Sequence, residues 1–84
     1  MTLPERIIAT LETNGGRMSY YRLMGELWPE EKYPKAWRRS INGGPPGVAM
    51  VLGATLGRMH RAGVISRPPA YYGQRFGQHD ILLL

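Results

Sequence analysis

Nine arginines and two histidines are the side chains best able to do chemistry in this 84-residue chain. His60 and His79 lie far apart, and Asp80 adjoins the second. Two imidazoles and one carboxylate at irregular spacing are a poor ligand set for zinc, so no metal and no cofactor is expected. A general acid–base pair would have to come from Glu5, Glu12, Glu26, Glu30, Glu31 and Asp80. These fall mostly at exposed helix ends, and Glu30-Glu31 reads as a solvated loop. Ser19, Ser40 and Ser66 supply hydroxyls, yet nothing in the spacing builds a Ser–His–Asp array. Gly43-Gly44-Pro45-Pro46-Gly47 precedes a helix as a phosphate cradle would. It lacks the closing Lys-Ser/Thr pair, and its prolines remove amide donors, so it reads as a stiff turn. The chain has no cysteine, which excludes disulfides, thiolate catalysis and thiolate metal centres. No enzyme is expected.

The arginines carry the functional signal. Eleven Lys and Arg stand against six Asp and Glu, a formal net charge of +5. Residues 1–33 hold four cations and five anions, whereas residues 34–84 hold seven cations and only Asp80. Arginine forks onto phosphate and stacks on bases, so a basic half on a small domain is the footprint of a nucleic-acid binder. A solubilising surface is the plainer alternative. Arg38 and Arg39 stand beside Trp37 and Tyr33, cations among aromatics as in surfaces that bind phosphate and stack bases. Tyr71, Tyr72, Arg75 and Phe76 repeat that combination. Trp37 packing into the core, with solvated arginines, is the competing reading.

These groups must be positioned by one small domain, residues 1–84, with an apolar content sufficient for a single core and a thin stability margin. Thr2 and Glu5 have the spacing of a capping box, Pro4 suits a first turn, and Leu3, Ile7, Ile8 and Leu11 recur at helical spacing. Thr13-Asn14-Gly15-Gly16 ends that helix. Arg17-Met18 is too short for more than a strand-like bridge. Ser19 caps a second helix with the stripe Tyr20, Leu23, Met24 and Leu27, stopped by Pro29. Pro34 opens a helical turn over Lys35–Ser40. A third helix runs over about Gly47–Ala62 and ends at Gly63 in a left-handed turn. Its core face is Val48, Leu52, Leu56 and Met59, and its far side holds Met50, Ala54, Gly57 and Arg61, flanked by Gly53 and Arg58. Val64-Ile65 and His79–Leu84 read as two strands of a hairpin whose tip projects into solvent.

The order helix, short strand, helix, helix, strand, loop, strand resembles the winged helix-turn-helix family. The segment Arg6 to Ser19, then Leu23 and Leu27, is similar to that family's first helix, turn and capped second helix. Leu52-x-x-x-Leu56-x-x-Met59-x-x-x-Gly63-Val64-Ile65 is similar to its third helix and first wing strand. The resemblance covers nearly all of the chain except residues 29–46. It implies an α+β, mainly α fold, with a three-helix helix-turn-helix core and a C-terminal β-hairpin wing. It also implies a third helix (about 47–62) in the major groove and a basic wing (about 66–78) on the backbone. Carried over residue by residue, the DNA contacts would be Arg38, Arg39, Thr55, Arg58, Arg61, Arg67, Gln74 and Arg75. That helix begins Gly-Val-Ala-Met-Val-Leu-Gly-Ala-Thr, and only Thr55 and Arg58 could read a base edge.

The expectation is therefore a small DNA-binding protein, a transcriptional regulator or phage-type accessory factor, with double-stranded DNA as partner. Gly53 and Gly57 each weaken a helix by about 1 kcal/mol relative to Ala, and with Ala49 they make a shallow trench. Close internal packing and close approach by a ligand both explain it. The rival function is a protein-interaction module that docks through Met50, Gly53, Ala54 and Gly57. A homodimer is a further option, because recognition helices commonly work in pairs. The apolar run Val48–Leu56 is far below the ~20 residues of a membrane span, and no signal peptide is evident. No membrane partner and a cytoplasmic location are expected.

Overall fold

The computed structural model describes residues 1–38, 47–67 and 80–84. Helix α1 spans Leu3–Thr13. The Thr2 side chain accepts from the Glu5 amide while the Glu5 carboxylate accepts from the Thr2 amide, a closed capping box. The hydrogen bonds from Thr2 also hold the exposed Glu5 carboxyl below its ordinary pKa. Gly15 and Gly16, at φ +79° and +82°, turn the chain into strand β1, Arg17–Ser19. Ser19 caps α2, Tyr20–Leu27, by accepting from the Arg22 amide. All four residues of the expected stripe, Tyr20, Leu23, Met24 and Leu27, are buried.

Residues 29–38 form successive tight turns instead of the helical turn expected from Lys35. Most of their backbone bonds run three residues back, as from Ala36 to Tyr33 and Arg38 to Lys35, while the Tyr33 amide reaches four back to Pro29. The part of that expectation covering residues 39 and 40 lies outside the described residues. Trp37 anchors the segment by donating its Nε1–H to the Trp28 carbonyl at 2.6 Å and meeting Tyr21 edge to face at 5.6 Å. Helix α3 is Gly47–Arg61. Its first turn is tied back by a bond from the Val48 amide to the Ala36 carbonyl. Gly63, at φ +77°, ends the connection after it and leads into β2, Ile65–Ser66.

The sheet corrects the expected architecture. The sequence predicted a hairpin wing standing off a core of three helices. Instead β3, Asp80–Leu83, is the central strand of a three-stranded antiparallel sheet of order β1-β3-β2. Arg17-Met18, expected to be no more than a bridge, belongs to a strand that pairs along its full length, with Met18 opposite Ile81. The physical reason is burial. Met18, Ile65 and Ile81 point into the same core as Ile7, Leu11, Leu23, Leu52 and Leu56, and all of these are at most 2% exposed. The strands thus complete the core, the burial of Met18 and Ile81 on one face specifies the β1–β3 register, and an exposed ion pair from Arg17 to Asp80 at 2.6 Å spans the two strands. A three-helix core with a C-terminal wing is not what the described residues form; the fold is a small α+β unit. Arg39, Gln74 and Arg75, expected as DNA contacts, and the hairpin tip with Tyr71, Tyr72 and Phe76 lie outside the described residues.

Candidate functional site

Helix α3 presents one side to the core and gathers its cations on the last turns of the other. Val48, Ala49, Leu52, Thr55, Leu56 and Met59 are buried, while Met50, Val51, Ala54, Arg58 and Arg61 are exposed. Cations at the C-terminal end of a helix meet the partial negative charge of its unpaired carbonyls, which makes Arg58 and Arg61 locally favourable there.

Arg67 reaches the same place from beyond β2. Its Nη1 donates to the Gly53 carbonyl at 3.1 Å, laying the half-buried side chain across α3. The Nη1 atoms of Arg61 and Arg67 each lie 3.9 Å from the position a Cβ on Gly57 would occupy. Gly57 is thus the floor on which two guanidinium groups from different elements meet. Arg58, on the same helix, donates through Nη2 to the Thr55 hydroxyl at 3.2 Å. The ion pair found among the described residues is Arg17 with Asp80, so none of these three guanidiniums has a carboxylate within 4 Å there.

Two expected roles change. Thr55 was expected to read a base edge, but it is 3% exposed and its hydroxyl is covered by Arg58. No base can reach it. Gly53 was offered as the bed for a partner, yet the gap above it is already filled from inside the domain. A Cβ there would stand 3.1 Å from the Tyr20 hydroxyl, which donates to the Ala49 carbonyl at 2.6 Å. Burial raises the Tyr20 pKa above its ordinary value, and the nearby Arg67 charge pulls it part of the way back. The trench between Ala49 and Gly53 is close internal packing. Only Met50 and Ala54 of the alternative docking set remain open, joined by Val51.

Arg38 is exposed on the turn ahead of α3, and no hydrogen bond or ion pair among the described residues joins it to the α3 cluster. The Ala36–Val48 bond places that turn at the start of α3. Arg58 therefore lies about 15 Å further along the helix axis at 1.5 Å per residue. Lys32 and Lys35, not singled out from the sequence, line an open cleft of about 480 Å³ with Tyr33, Pro34 and Ala36. Their mixed aromatic and cationic neighbourhood was the available signal. His60 places Nδ1 3.4 Å from the Ile65 carbonyl, and no group of three or more His, Asp or Glu among the described residues could hold a metal ion. No helix among them is long and apolar enough to cross a membrane.

No protein-family model matches the chain, and no solved structure matches it. An uncharacterized protein, ORFC, of Psittacid herpesvirus 1 (an Amazon parrot isolate) is 38% identical to it over 73 residues. The match covers 87% of this chain and 19% of the viral protein, so the chain spans about a fifth of that relative's length.

Proposed function

We propose that this chain binds double-stranded DNA through the outward side of α3, with Arg58, Arg61 and Arg67 contacting phosphates. The meeting of Arg61 and Arg67 over Gly57, with no carboxylate partner among the described residues, is the observation that carries this reading. Both Nη1 atoms lie 3.9 Å from one point, so they stand within about 8 Å of each other, a separation that salt at physiological strength screens only in part. A bridging anion relieves their repulsion, and phosphate oxygens match the guanidinium fork. Arg38, on the turn tied to the opposite end of α3, would reach a separate phosphate. Arg39, Gln74 and Arg75 are proposed as further contacts from the flanking segments. Such a protein would act as a transcriptional regulator or an accessory factor. We place it in the cytoplasm, a reducing setting that suits a chain without cysteine.

Fluorescence anisotropy of a labelled duplex across a salt series tests this. Arg58→Ala/Arg61→Ala should weaken binding and reduce the slope of log K against log salt by about two, one for each phosphate that no longer meets an arginine. A double variant that binds as tightly as the parent, with the same slope, would remove α3 from the interface.

A second reading has one observation in its favour. Met50 is 76% exposed and Val51 53% exposed on the first turns of α3, beside Ala54. Docking of a protein partner or a second copy of the chain through these residues is the alternative. Absence of any duplex binding at low salt, with the fold intact by circular dichroism, would favour it.

A further inference from the structure

We infer that His60 is a further phosphate contact of this surface, made only by its imidazolium form, so that binding the duplex takes up a proton. The inference rests on the DNA-binding reading above and adds control by pH to the same site. His60 is exposed and stands on α3 one turn past Gly57, as Arg61 does. Side chains three and four apart on a helix are neighbours, so the imidazole borders the place where Arg61 and Arg67 meet. Its Nδ1 lies 3.4 Å from the Ile65 carbonyl, which the sheet leaves unused. The Leu84 amide donates to Val64 and the Leu83 amide to Gly16. Ile65, opposite Leu83, is therefore the pair without mutual bonds, and its carbonyl turns off the outer edge of β2. A carbonyl only accepts, so Nδ1 must carry a proton and donate it. In the neutral ring that proton is committed to Ile65, and Nε2 offers a lone pair, which repels a phosphate oxygen. Protonation keeps the Ile65 bond and turns Nε2 into a charged donor.

The protein supplies no carboxylate to hold that charge. Arg58 and Arg61 on α3 and Arg67 beyond β2 are cations, and the Tyr20 phenol of α2 donates to the Ala49 carbonyl. β3 lies across β2, with its Asp80 paired to Arg17. No carboxylate of the described residues, that of Leu84 included, comes within 4 Å of the ring, and residues 39–46 and 68–79 contain no Asp or Glu. The anion for the imidazolium therefore arrives with the duplex, and a nearby phosphate favours the charged form. Histidine is the side chain that ordinarily changes charge between about pH 5 and 8, so binding tightens as pH falls through that range.

Fluorescence anisotropy of a labelled duplex between about pH 8 and about pH 6, at constant ionic strength, tests this with the full chain. The parent should bind about tenfold tighter at the lower pH, and its slope of log K against log salt should steepen by about one. His60→Gln should change by less than about twofold over the same range, while His79→Gln keeps the parent's dependence. Parent affinity that is flat with pH, or a dependence that survives His60→Gln or disappears with His79→Gln, would overturn the inference and leave DNA binding intact. Failure to bind at any pH would overturn the DNA-binding reading itself. Long-range proton–nitrogen NMR of labelled imidazoles gives a second readout on the unaltered protein. At about pH 8 the free protein should show His60 as the Nδ1–H tautomer, and saturating duplex at about pH 7 should protonate its Nε2. An Nε2–H tautomer in the free protein, or no proton gained with the duplex bound, would contradict the inference.

Discussion

Adding one methyl group at Gly53 decides whether that glycine serves the fold or a ligand. In the interior of an exposed helix Gly→Ala stabilises by about 1 kcal/mol through propensity. At Gly53 the new Cβ would lie 3.1 Å from the Tyr20 hydroxyl, nearer than ordinary contact. That hydroxyl has little room to move, because Tyr20 is 3% exposed and bonded to the Ala49 carbonyl at 2.6 Å. Overpacking in a tight site costs about 1–3 kcal/mol, so Gly53→Ala should range from neutral to about 2 kcal/mol destabilising. Tyr20→Phe loses one buried hydrogen bond, about 1 kcal/mol. In the Phe background the obstructing oxygen is gone, and Gly53→Ala should then stabilise by about 1 kcal/mol. The double-mutant cycle therefore predicts a coupling of about 1–3 kcal/mol, with the double variant more stable than the two singles imply. Urea denaturation reads it directly, and each 1 kcal/mol moves Tm by about 4–8 °C in a domain of this size. If the two substitutions add to within about 0.5 kcal/mol, the packing explanation of Gly53 is wrong.

Gly57 is the contrasting case. Its Cβ would find only ordinary contacts, 3.9 Å from each of Arg61 and Arg67, so Gly57→Ala should raise stability by about 1 kcal/mol in the same urea assay. The Tyr20 phenol should ionise above the ordinary value of about 10 in a spectrophotometric titration of the parent against Tyr20→Phe. A raised folded-state pKa means that the neutral form is favoured on folding. Its contribution is complete below the unfolded pKa and is lost as pH rises towards the folded one, a dependence that Tyr20→Phe should abolish.

Much of the framework was legible because it is written in local chemistry. Thr2 with Glu5, Ser19 before Tyr20, and Gly63 after α3 are short-range signals, and the structure uses each as read. The sheet order was not legible, since strands of two to four residues carry too little periodicity to say which one lies between the others. What placed β3 in the centre is long-range burial of Ile81 against Met18 and Ile65. Thr55 was misassigned although its position was readable. It follows Val48 by seven residues and Leu52 by three, which puts it about 20° from Val48, at the edge of the core stripe. The two helical glycines signalled a close approach, but sequence gives no means of knowing that Tyr20 arrives at one and Arg67 at both. The guanidinium meeting at Gly57 is the product of that same long-range packing.

The central claim is that Arg58, Arg61 and Arg67 act together as one phosphate-binding surface. Arginine side-chain Nε–Hε resonances of isotope-labelled protein, followed by NMR during titration with a short duplex at low salt, report on it residue by residue. Those of Arg58, Arg61 and Arg67 should shift along a common binding curve, with Arg6, Arg17 and Arg22 of the first two helices and β1 unmoved. Shifts confined to the latter three, or none among the former, would contradict it.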